Sequence, residues 1–262
     1  LLGLALLIVV LLTMLLGPGW YGVAPFDIVA PPFTEPFTDR KVLLGTDYLG
    51  RDMLSRVLFG ARFTVGLALA AALAASITGT TLGLTAAVAG GWIDELMSRL
   101  MDALISIPSK MLALVIVAAF GSSVQLLMLT AAISYTPGAY RIARSLAVNI
   151  KTMEYVLVAR ARGEKLPYIA LVEVLPNMIN PMLADFGLRF VFVVLLLSGM
   201  SFLGLGVQPP DADLGSLVRE NIAGLGEGAP AVIMPALAIA TLTVSVNMLI
   251  DSLTGGTNMA EH

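Results

Sequence analysis

The stretch YRIARSLAVNIKTMEYVLVARARGEKLPYIALVEVLPN, residues 140–177, is a polar and basic island between two long apolar runs. Loops on the cytoplasmic side of membrane proteins carry an excess of Lys and Arg, so this stretch is predicted to be a cytoplasmic loop. Its basic residues are Arg141, Arg144, Lys151, Arg160, Arg162 and Lys165. The loop fixes the predicted orientation of the whole chain.

A short helix of about three turns is predicted inside this island. Thr152 is expected to cap its start, and Glu154 places negative charge in its first turn, where the helix dipole favours an anion. Gly163 is expected to end the helix in a left-handed conformation, and Pro167 is expected to prevent it from restarting.

The surface of this helix allows two interpretations. The small side chains of Ala159 and Ala161 let the backbone of another protein approach closely, while Tyr155, Val156 and Val158 are apolar groups that water alone does not favour. The alternative is an interfacial helix that lies on the lipid headgroups. The residues by themselves leave both interpretations open.

The composition is that of an integral membrane protein. Of the 262 residues 58% are hydrophobic, and the mean hydropathy is +0.91, whereas soluble domains have an apolar share of roughly 45–50%. Cysteine is absent, which excludes disulfides, thiolate chemistry and Cys-based metal sites. The only histidine is His262 at the C-terminal end, so a buried histidine base or pH switch is excluded as well.

Six transmembrane helices are predicted, with both termini in the cytoplasm. A loop with an amphipathic helix, residues 18–62, is expected outside, and a tail, residues 254–262, inside. The predicted spans are residues 1–17, with the start of this helix missing from the chain; 63–89; a third that ends near Phe120; a fourth from Leu126 to about Tyr140, broken near Pro137 and Gly138; a fifth that is capped by Asn180, starts at Pro181 and ends near Phe202; and 231–253.

Residues 43–64, LLGTDYLGRDMLSRVLFGARFT, are expected to form the amphipathic helix, because Asp52 and Arg56 fall at i and i+4 on one face. The alternative is a simple lead-in to the second span. The basic residues here conflict with an outer location, but the loop is long and also carries acidic residues, so the alternation from the clearer loops is given more weight. These basic residues are Arg40, Lys41, Arg51, Arg56 and Arg62.

The fifth predicted span contains an acidic and a basic residue, Asp185 and Arg189, at i and i+4. They are expected to pair, because an isolated charge in a membrane helix costs at least ~2.5–3.5 kcal/mol. Such a pair either lines a translocation path or serves as a structural pair near the cytoplasmic start of the span.

Sequence motifs of common enzymes are absent. The chain has no Gly-x-x-x-x-Gly-Lys-Ser/Thr loop for ATP and no His-Glu-x-x-His element, and its serines have no internal histidine partner. We therefore expect a chain that is not catalytic by itself, with no catalytic residues, and that binds no cofactor or metal of its own.

Four stretches resemble the permease subunits of binding-protein-dependent ABC importers. EYVLVARARG followed by EVLPN is similar to their cytoplasmic coupling loop, with Ala159, Gly163, Leu175 and Pro176 at matching positions, although Leu157 and Val158 replace the usual Glu and Ala. Residues 90–110 resemble a second loop that approaches the ATPases. GTDYLGRDMLSRVLFGAR, residues 45–62, and FLGLGVQPPDADLGSLVREN, residues 202–221, resemble the dipeptide, oligopeptide and nickel branch, although Leu214 replaces a usual aromatic residue.

The resemblance implies an all-α membrane protein with the type I ABC importer permease fold, a permease core over residues 63–253 and a coupling helix over residues 152–166. It implies that an ATPase-coupling surface and a translocation path lie on this chain. The coupling surface consists of Glu154, Tyr155, Val158, Ala159, Arg160, Ala161 and Gly163, and the path includes Asp185 and Arg189.

The same resemblance implies the partners and the location. The partners are a homologous permease subunit, two ABC ATPase subunits that hold ATP and Mg, an extracytoplasmic substrate-binding protein and the lipid bilayer of the bacterial inner membrane, and no nucleic acid. The substrate class is peptides or related small solutes such as nickel chelates, opines and conjugates.

Two other classes of protein remain as alternatives. A secondary transporter or channel works without an ATPase and typically has broken midplane helices with ionisable ion ligands, of which this chain offers only Asp185 and Arg189. An intramembrane hydrolase is disfavoured because internal His and Cys are absent.

Overall fold

Residues 2–38, 42–227 and 230–258 are described by the computed structural model, and in these ranges the chain forms α-helices without a named strand. The all-α prediction is confirmed. In chain order the helices are α1 (Leu2–Tyr21), α2 (Met53–Ala89), α3 (Gly91–Ile105), α4 (Ser109–Phe120), α5 (Val124–Ile150), α6 (Glu154–Ala161), α7 (Leu166–Tyr168), α8 (Leu175–Phe202), α9 (Leu214–Glu220) and α10 (Ile233–Asn258). A π-helical turn, Ile169–Val174, joins α7 to α8, and a 3₁₀ turn, Ile222–Glu227, follows α9.

Six helical segments occupy the positions predicted for six spans: α1, α2, the α3–α4 pair, α5, the run from α7 through α8, and α10. Among the described residues, three helices are long and apolar enough to cross a membrane individually: Met53–Ala89, Leu166–Phe202 and Ile233–Ser252. The helices α3 and α4 pass the same test only as a pair that bends by 80°. The chain is therefore a multi-pass membrane protein, and the count of six stays a prediction.

The close crossing of α2 and α5 lies at the centre of the bundle. A Cβ on Gly79 would lie 2.8 Å from the carbonyl oxygen of Thr136, and a Cβ on Gly83 would lie 2.7 Å from that of Tyr140. The two helix backbones are therefore nearly in contact, which small residues allow in membrane proteins. Residues 63–89 are rich in Ala, Gly, Ser and Thr, which is the composition that such close packing needs.

Two apolar clusters fill the bundle. The larger one joins side chains of α1, α2, α4, α5, α8, α9 and α10. The smaller one joins the last turns of α2 and α5 to α6, the π turn and the start of α8; its buried members include Leu84, Ile150, Val156, Ile169 and Met178. Helix α6 packs mainly on the π turn, and the smaller cluster links both elements to the ends of the two central helices.

The prediction of a broken fourth span and of a fifth span that starts at Pro181 is wrong. Helix α5 runs without interruption through Pro137, and the fifth span begins at Leu166, so Asn180 lies inside the helix and does not cap it. Neighbouring membrane helices can satisfy the backbone groups that an internal proline leaves unpaired, so these prolines do not end the helices.

Two further prolines accompany the start of this long helix. Pro167 lies in the first turn of α7, where its missing N–H leaves no helical hydrogen bond unmade, so it starts a helix instead of preventing one. The π turn Ile169–Val174 lies directly before α8, whose first turn contains Pro176. The backbone of a π turn is wider than that of an α-helix. The turn therefore leaves room for the ring of Pro176, which in an α-helix would meet the carbonyl group four residues before it.

The amphipathic helix expected over residues 43–64 is wrong in its first part. Residues 42–52 form a loop with isolated bridges from Ile28 to Arg51 and from Thr46 to Asp52. Helix α2 begins at Met53 and continues unbroken into the second span, as the lead-in alternative expects. Its 37 residues make it about 55 Å long, longer than the ~30 Å hydrocarbon layer, so α2 extends beyond the membrane.

Some of the sequence predictions concern residues outside the described ranges. Arg40 and Lys41 are among these residues, and the tail predicted for residues 254–262 is described only as far as Asn258, where it continues α10.

Gly79→Ala is expected to lower the thermal stability of the protein, because the added methyl group meets the α5 backbone and overpacking costs typically about 1–3 kcal/mol. Gly66→Ala in the same helix is the matched control, since nothing lies within 4 Å of the added Cβ. This control should be neutral or stabilising, because alanine favours a helix more than glycine does. The midpoint of thermal aggregation in detergent measures both, and equal midpoints would contradict the close crossing.

Candidate functional site

Helix α6 is a short separate element that follows the end of α5. It begins after Met153, which has an extended backbone and makes no side-chain cap. The prediction that Thr152 caps this helix is wrong, because its hydroxyl donates to the carbonyl oxygen of Asn149 at 2.7 Å in the preceding turn. The prediction for Gly163 is confirmed: its φ is +84°, and it ends the helix in the left-handed region.

One face of α6 packs against the chain itself. Val156 is 0% exposed and Ala159 is 1% exposed, and Val156 belongs to the smaller apolar cluster with Leu84 of α2 and Ile150 of α5. The expectation that a partner's backbone approaches over Ala159 is therefore corrected. Its small side chain lets α6 lie close to its own bundle, and of the two alanines only Ala161 is exposed.

The opposite face of α6 is open and apolar. Leu157 is 51% exposed and Val158 is 57% exposed, and Tyr155 lies next to them with its ring also exposed. Glu154 and Arg160 border these side chains. Apolar side chains that cluster on an exposed surface mark a site of interaction, so α6 has a fixed inner face and a free outer face.

Ion pairs join helix α3 to the last turns of α5, the helix that precedes α6. Arg144 donates to both carboxylate oxygens of Asp94, with Nη2 2.7 Å from Oδ2, and Arg141 donates to Asp102 at 2.6 Å. Both acidic residues lie on α3. Two of the basic residues on which the prediction of a cytoplasmic loop rests therefore lie on α5 and position α3 against it.

At the other end of α2, a network of charges joins the loop before α2 to α9. Arg56 Nη1 lies 2.6 Å from Asp47 Oδ2 and 2.9 Å from Glu220 Oε2, and Arg51 Nε lies 2.6 Å from the same oxygen of Asp47. Arg56 is thus paired with these residues and not with Asp52, four positions before it. Asp52 instead caps α2 by accepting from the Ser55 N–H at 2.7 Å.

Helix α9 is anchored on α2 by its first residues. The Leu214 N–H donates to the Thr64 hydroxyl at 3.0 Å, and the Asp213 carboxylate accepts from the Ser216 N–H at 2.9 Å to cap the helix. Burial raises the pKa of the Asp213 carboxyl above its usual value, and the bonds from Ser216 oppose this shift. A Cβ on Gly215 would lie 2.2 Å from the Ser198 carbonyl oxygen, so only glycine fits there.

Asp185 and Arg189 form the predicted pair inside the bundle. Arg189 Nε and Nη2 donate to the two carboxylate oxygens of Asp185 at 2.7 and 2.8 Å, and Nη1 donates to the Tyr135 carbonyl oxygen at 2.7 Å. The guanidinium also lies against Gly138, where a Cβ would approach Nη1 to 2.8 Å. The predicted role in a translocation path stays a prediction, and the filled hydrogen bonds favour a brace between α8 and α5.

Several residues that build this site have no local signal in the sequence. Arg56 bonds to Glu220 across 164 residues and to Asp47 across nine, and the carbonyl oxygen of Tyr135 that Arg189 meets belongs to another helix. In the sequence, Gly138 is interpreted as part of a break in the fourth span. In the structure, its missing side chain leaves room for the guanidinium of Arg189.

The family model for the inner membrane component of binding-protein-dependent transport systems matches residues 79–257. This match covers the α2–α5 crossing, α6 and the Asp185–Arg189 pair. The chain belongs to this family, which makes it a permease of the ABC importer type, and transport permeases of this family are generally not catalytic.

Relatives with described transport systems match nearly the whole chain. It is 30% identical to the dipeptide transport system permease of Haemophilus influenzae, with 97% of this chain and 88% of the relative covered. It is 31% identical to the di/tripeptide transport system permease of Pseudomonas aeruginosa, with 96% and 84% covered. It is also 32% identical to the glutathione transport system permease of Pectobacterium atrosepticum, with 80% and 70% covered.

A solved structure supports the fold. The crystal structure of an amino acid ABC transporter with histidines matches with a TM-score of 0.53 at 17% identity, and the match covers 74% of this chain and 91% of that one. Because the identity is low, this likeness shows the fold alone, and it agrees with the predicted type I permease fold.

The brace formed by Asp185 and Arg189 can be distinguished from a substrate contact by three variants. Asp185→Asn and Arg189→Gln are each expected to lower the amount of folded protein strongly, because each leaves one charge buried without its partner, at a cost of about 3–5 kcal/mol. The double variant should recover much of this loss. The yield of monodisperse protein and the transport activity per folded complex are the measurements.

A double variant that folds normally but does not transport would contradict the structural role and support the translocation-path prediction. A double variant that folds and transports would support the brace.

Proposed function

We propose that this chain is one of two permease subunits of an ATP-driven importer for peptides or related small solutes in a bacterial inner membrane. Its family and the transport systems of its relatives support this proposal. In the proposed assembly it pairs with a homologous permease, two ABC ATPases hold ATP and Mg, and an extracytoplasmic binding protein delivers the substrate. Both termini then lie in the cytoplasm.

The two faces of α6 carry the proposal. A helix that only rested on lipid headgroups would not need a second buried face, whereas α6 buries Val156 in a cluster that the π turn, α2 and α5 also enter, and it exposes Leu157 and Val158 on the other side. This arrangement suits a rigid element that receives a push on one face and transmits it through the other. The proposed docking surface is Glu154, Tyr155, Leu157, Val158, Arg160 and Ala161, with Gly163 at its end.

The proposed mechanism moves α6 as a rigid body between two global states. Closure of the ATPases on ATP would push the exposed face of α6, and Val156 would transmit the displacement to Leu84 on α2 and Ile150 on α5. The chain would then open its cavity outward, and hydrolysis would reset it inward. Close-packed side chains can couple two sites in this way because they hardly compress. A packed interface therefore switches between two arrangements and does not absorb the displacement.

The network around Arg56 removes an objection to the proposed orientation. In this orientation helix α9 lies outside, and so does the loop before α2. The basic residues of that loop conflict with the positive-inside rule, which expects Lys and Arg in cytoplasmic loops. Arg51 and Arg56 are bonded to Asp47 and Glu220, so these two positive charges are largely neutralised inside the protein. They therefore give little signal about the side on which the loop lies.

Val158→Asp is expected to reduce ATPase copurification and binding-protein-stimulated ATP hydrolysis at least about tenfold, because it buries a charge without a partner in the proposed interface. Leu225→Asp is the matched control, since Leu225 is exposed to a similar degree on the proposed outer side. Both variants should fold equally well. The measurement is ATP hydrolysis by the purified assembly in lipid, with and without its binding protein.

Unchanged stimulation in Val158→Asp would contradict the proposed docking surface. Peptide uptake by this chain in vesicles that contain no ATPase would instead support the alternative, an ATP-independent secondary transporter or channel.

A further inference from the structure

The first turns of α2 line an aromatic depression that three charged side chains border: Arg62, Asp211 and Arg56, of which Arg56 is already paired with Asp47 and Glu220. The depression has a larger part of about 530 Å³ and a smaller part of about 80 Å³, and the two parts share Phe59 and Phe63. Arg62 lines the larger part, and Asp211, in the loop before α9, lines the smaller part. Both charged residues are exposed.

These two charges differ from their neighbours. Asp47, Arg51, Arg56 and Glu220 bond to one another, whereas within the described ranges Arg62 and Asp211 form neither a hydrogen bond nor an ion pair. Arg62 is the last residue of the region predicted to lie outside the membrane, residues 18–62, and its side chain is exposed. Its unpaired charge is therefore open to water or to a ligand that arrives from that side.

The position of the depression fits an entry site. Its wall includes Val124 at the start of α5, and its rim includes Pro25 and Pro210 of the two loops that the proposed topology places outside. In the proposed importer, substrate arrives from that side. The depression therefore lies where a released substrate would first meet this chain.

We propose that this depression binds the two ends of a short peptide as it enters the transporter. Arg62 takes the terminal carboxylate, Asp211 takes the terminal ammonium, and Phe59 and Phe63 contact the side chains between them. A free peptide at neutral pH carries one charge of each sign, and guanidinium and carboxylate groups bind these charges by charge-assisted hydrogen bonds. The inference rests on the proposed function and assigns it a substrate-contact site.

Charge variants test the two contacts in the complete importer. Arg62→Gln and Asp211→Asn should each lower peptide uptake into vesicles about tenfold, the factor expected for one lost bond to a charged group. Because neither residue contacts the coupling surface, binding-protein-stimulated ATP hydrolysis should stay near the level of the unmodified importer. Arg62→Lys should retain part of the uptake, and Glu35→Gln, which removes an exposed carboxylate elsewhere in the same loop region, should retain all of it.

Thiol labelling tests occupancy without relying on transport rates. The chain has no cysteine, so Phe59→Cys places a single thiol in the depression. Labelling by a membrane-impermeant maleimide should slow several-fold when Ala-Ala is present at millimolar concentration, and N-acetyl-Ala-Ala-amide, which lacks both charges, should not slow it. Ile222→Cys is the control, because Ile222 is exposed and lines neither part of the depression.

The outcomes separate this inference from the proposed function. If the unmodified importer takes up peptide with ATP but the charge variants transport normally and Ala-Ala does not slow labelling at residue 59, the peptide site is wrong and the function stands. If labelling is blocked by assembly with the second permease regardless of peptide, the depression is a subunit contact and the inference is overturned. If the unmodified importer takes up no peptide, the proposed function itself fails.

Discussion

The near-contact between the backbones of α2 and α5 is the constraint on which the rest of the structure depends. At Gly79 and Gly83 there is no room for a side chain between the two helices, so the two backbones approach as closely as their own atoms allow. The last turns of both helices then present Leu84, Ala147 and Ile150 on one common surface. Val156, on the inner face of α6, belongs to the same cluster as these residues. The orientation of α6 therefore depends on how α2 and α5 pack at Gly79 and Gly83.

The same helix pair explains why α6 can serve as a lever. Val156 belongs to one apolar cluster with side chains of both helices, and the π turn, the main neighbour of α6, adds Ile169 and Val174 to that cluster. A displacement of α6 therefore acts on α2, α5 and the start of α8 together. At the far end of α2, the network from Arg56 to Asp47 and Glu220 fixes the loop and α9 to the same helix. Helix α2 thus connects the two surfaces of the membrane protein.

The sequence predicted local features of the site well, because they depend on neighbours within a few residues. The end of α6 at Gly163 follows from the freedom of glycine at positive φ, and the pairing of Asp185 with Arg189 follows from helical spacing. The charge pattern also located the loop that contains α6.

Features that depend on distant partners were not predictable from one sequence. Arg56 had a carboxylate four residues away, yet it bonds to Asp47 and Glu220, because Asp52 is used by the start of α2. Likewise, nothing local shows that Ala159 is buried while Ala161 is exposed. Prolines were misleading because the soluble-protein rule that they end helices is relaxed where other helices surround them.

The central claim is that α6 keeps one face on its own chain and offers the other to an ATPase on the cytoplasmic side. Single cysteines at residues 158 and 159 of this cysteine-free chain test it directly, through labelling by an impermeant maleimide in inside-out vesicles. The account predicts fast labelling of Val158→Cys that is lost when the ATPases bind, and slow labelling of Ala159→Cys in both conditions. Equal labelling at the two positions, or labelling of Val158→Cys only from the opposite side of the membrane, would contradict it.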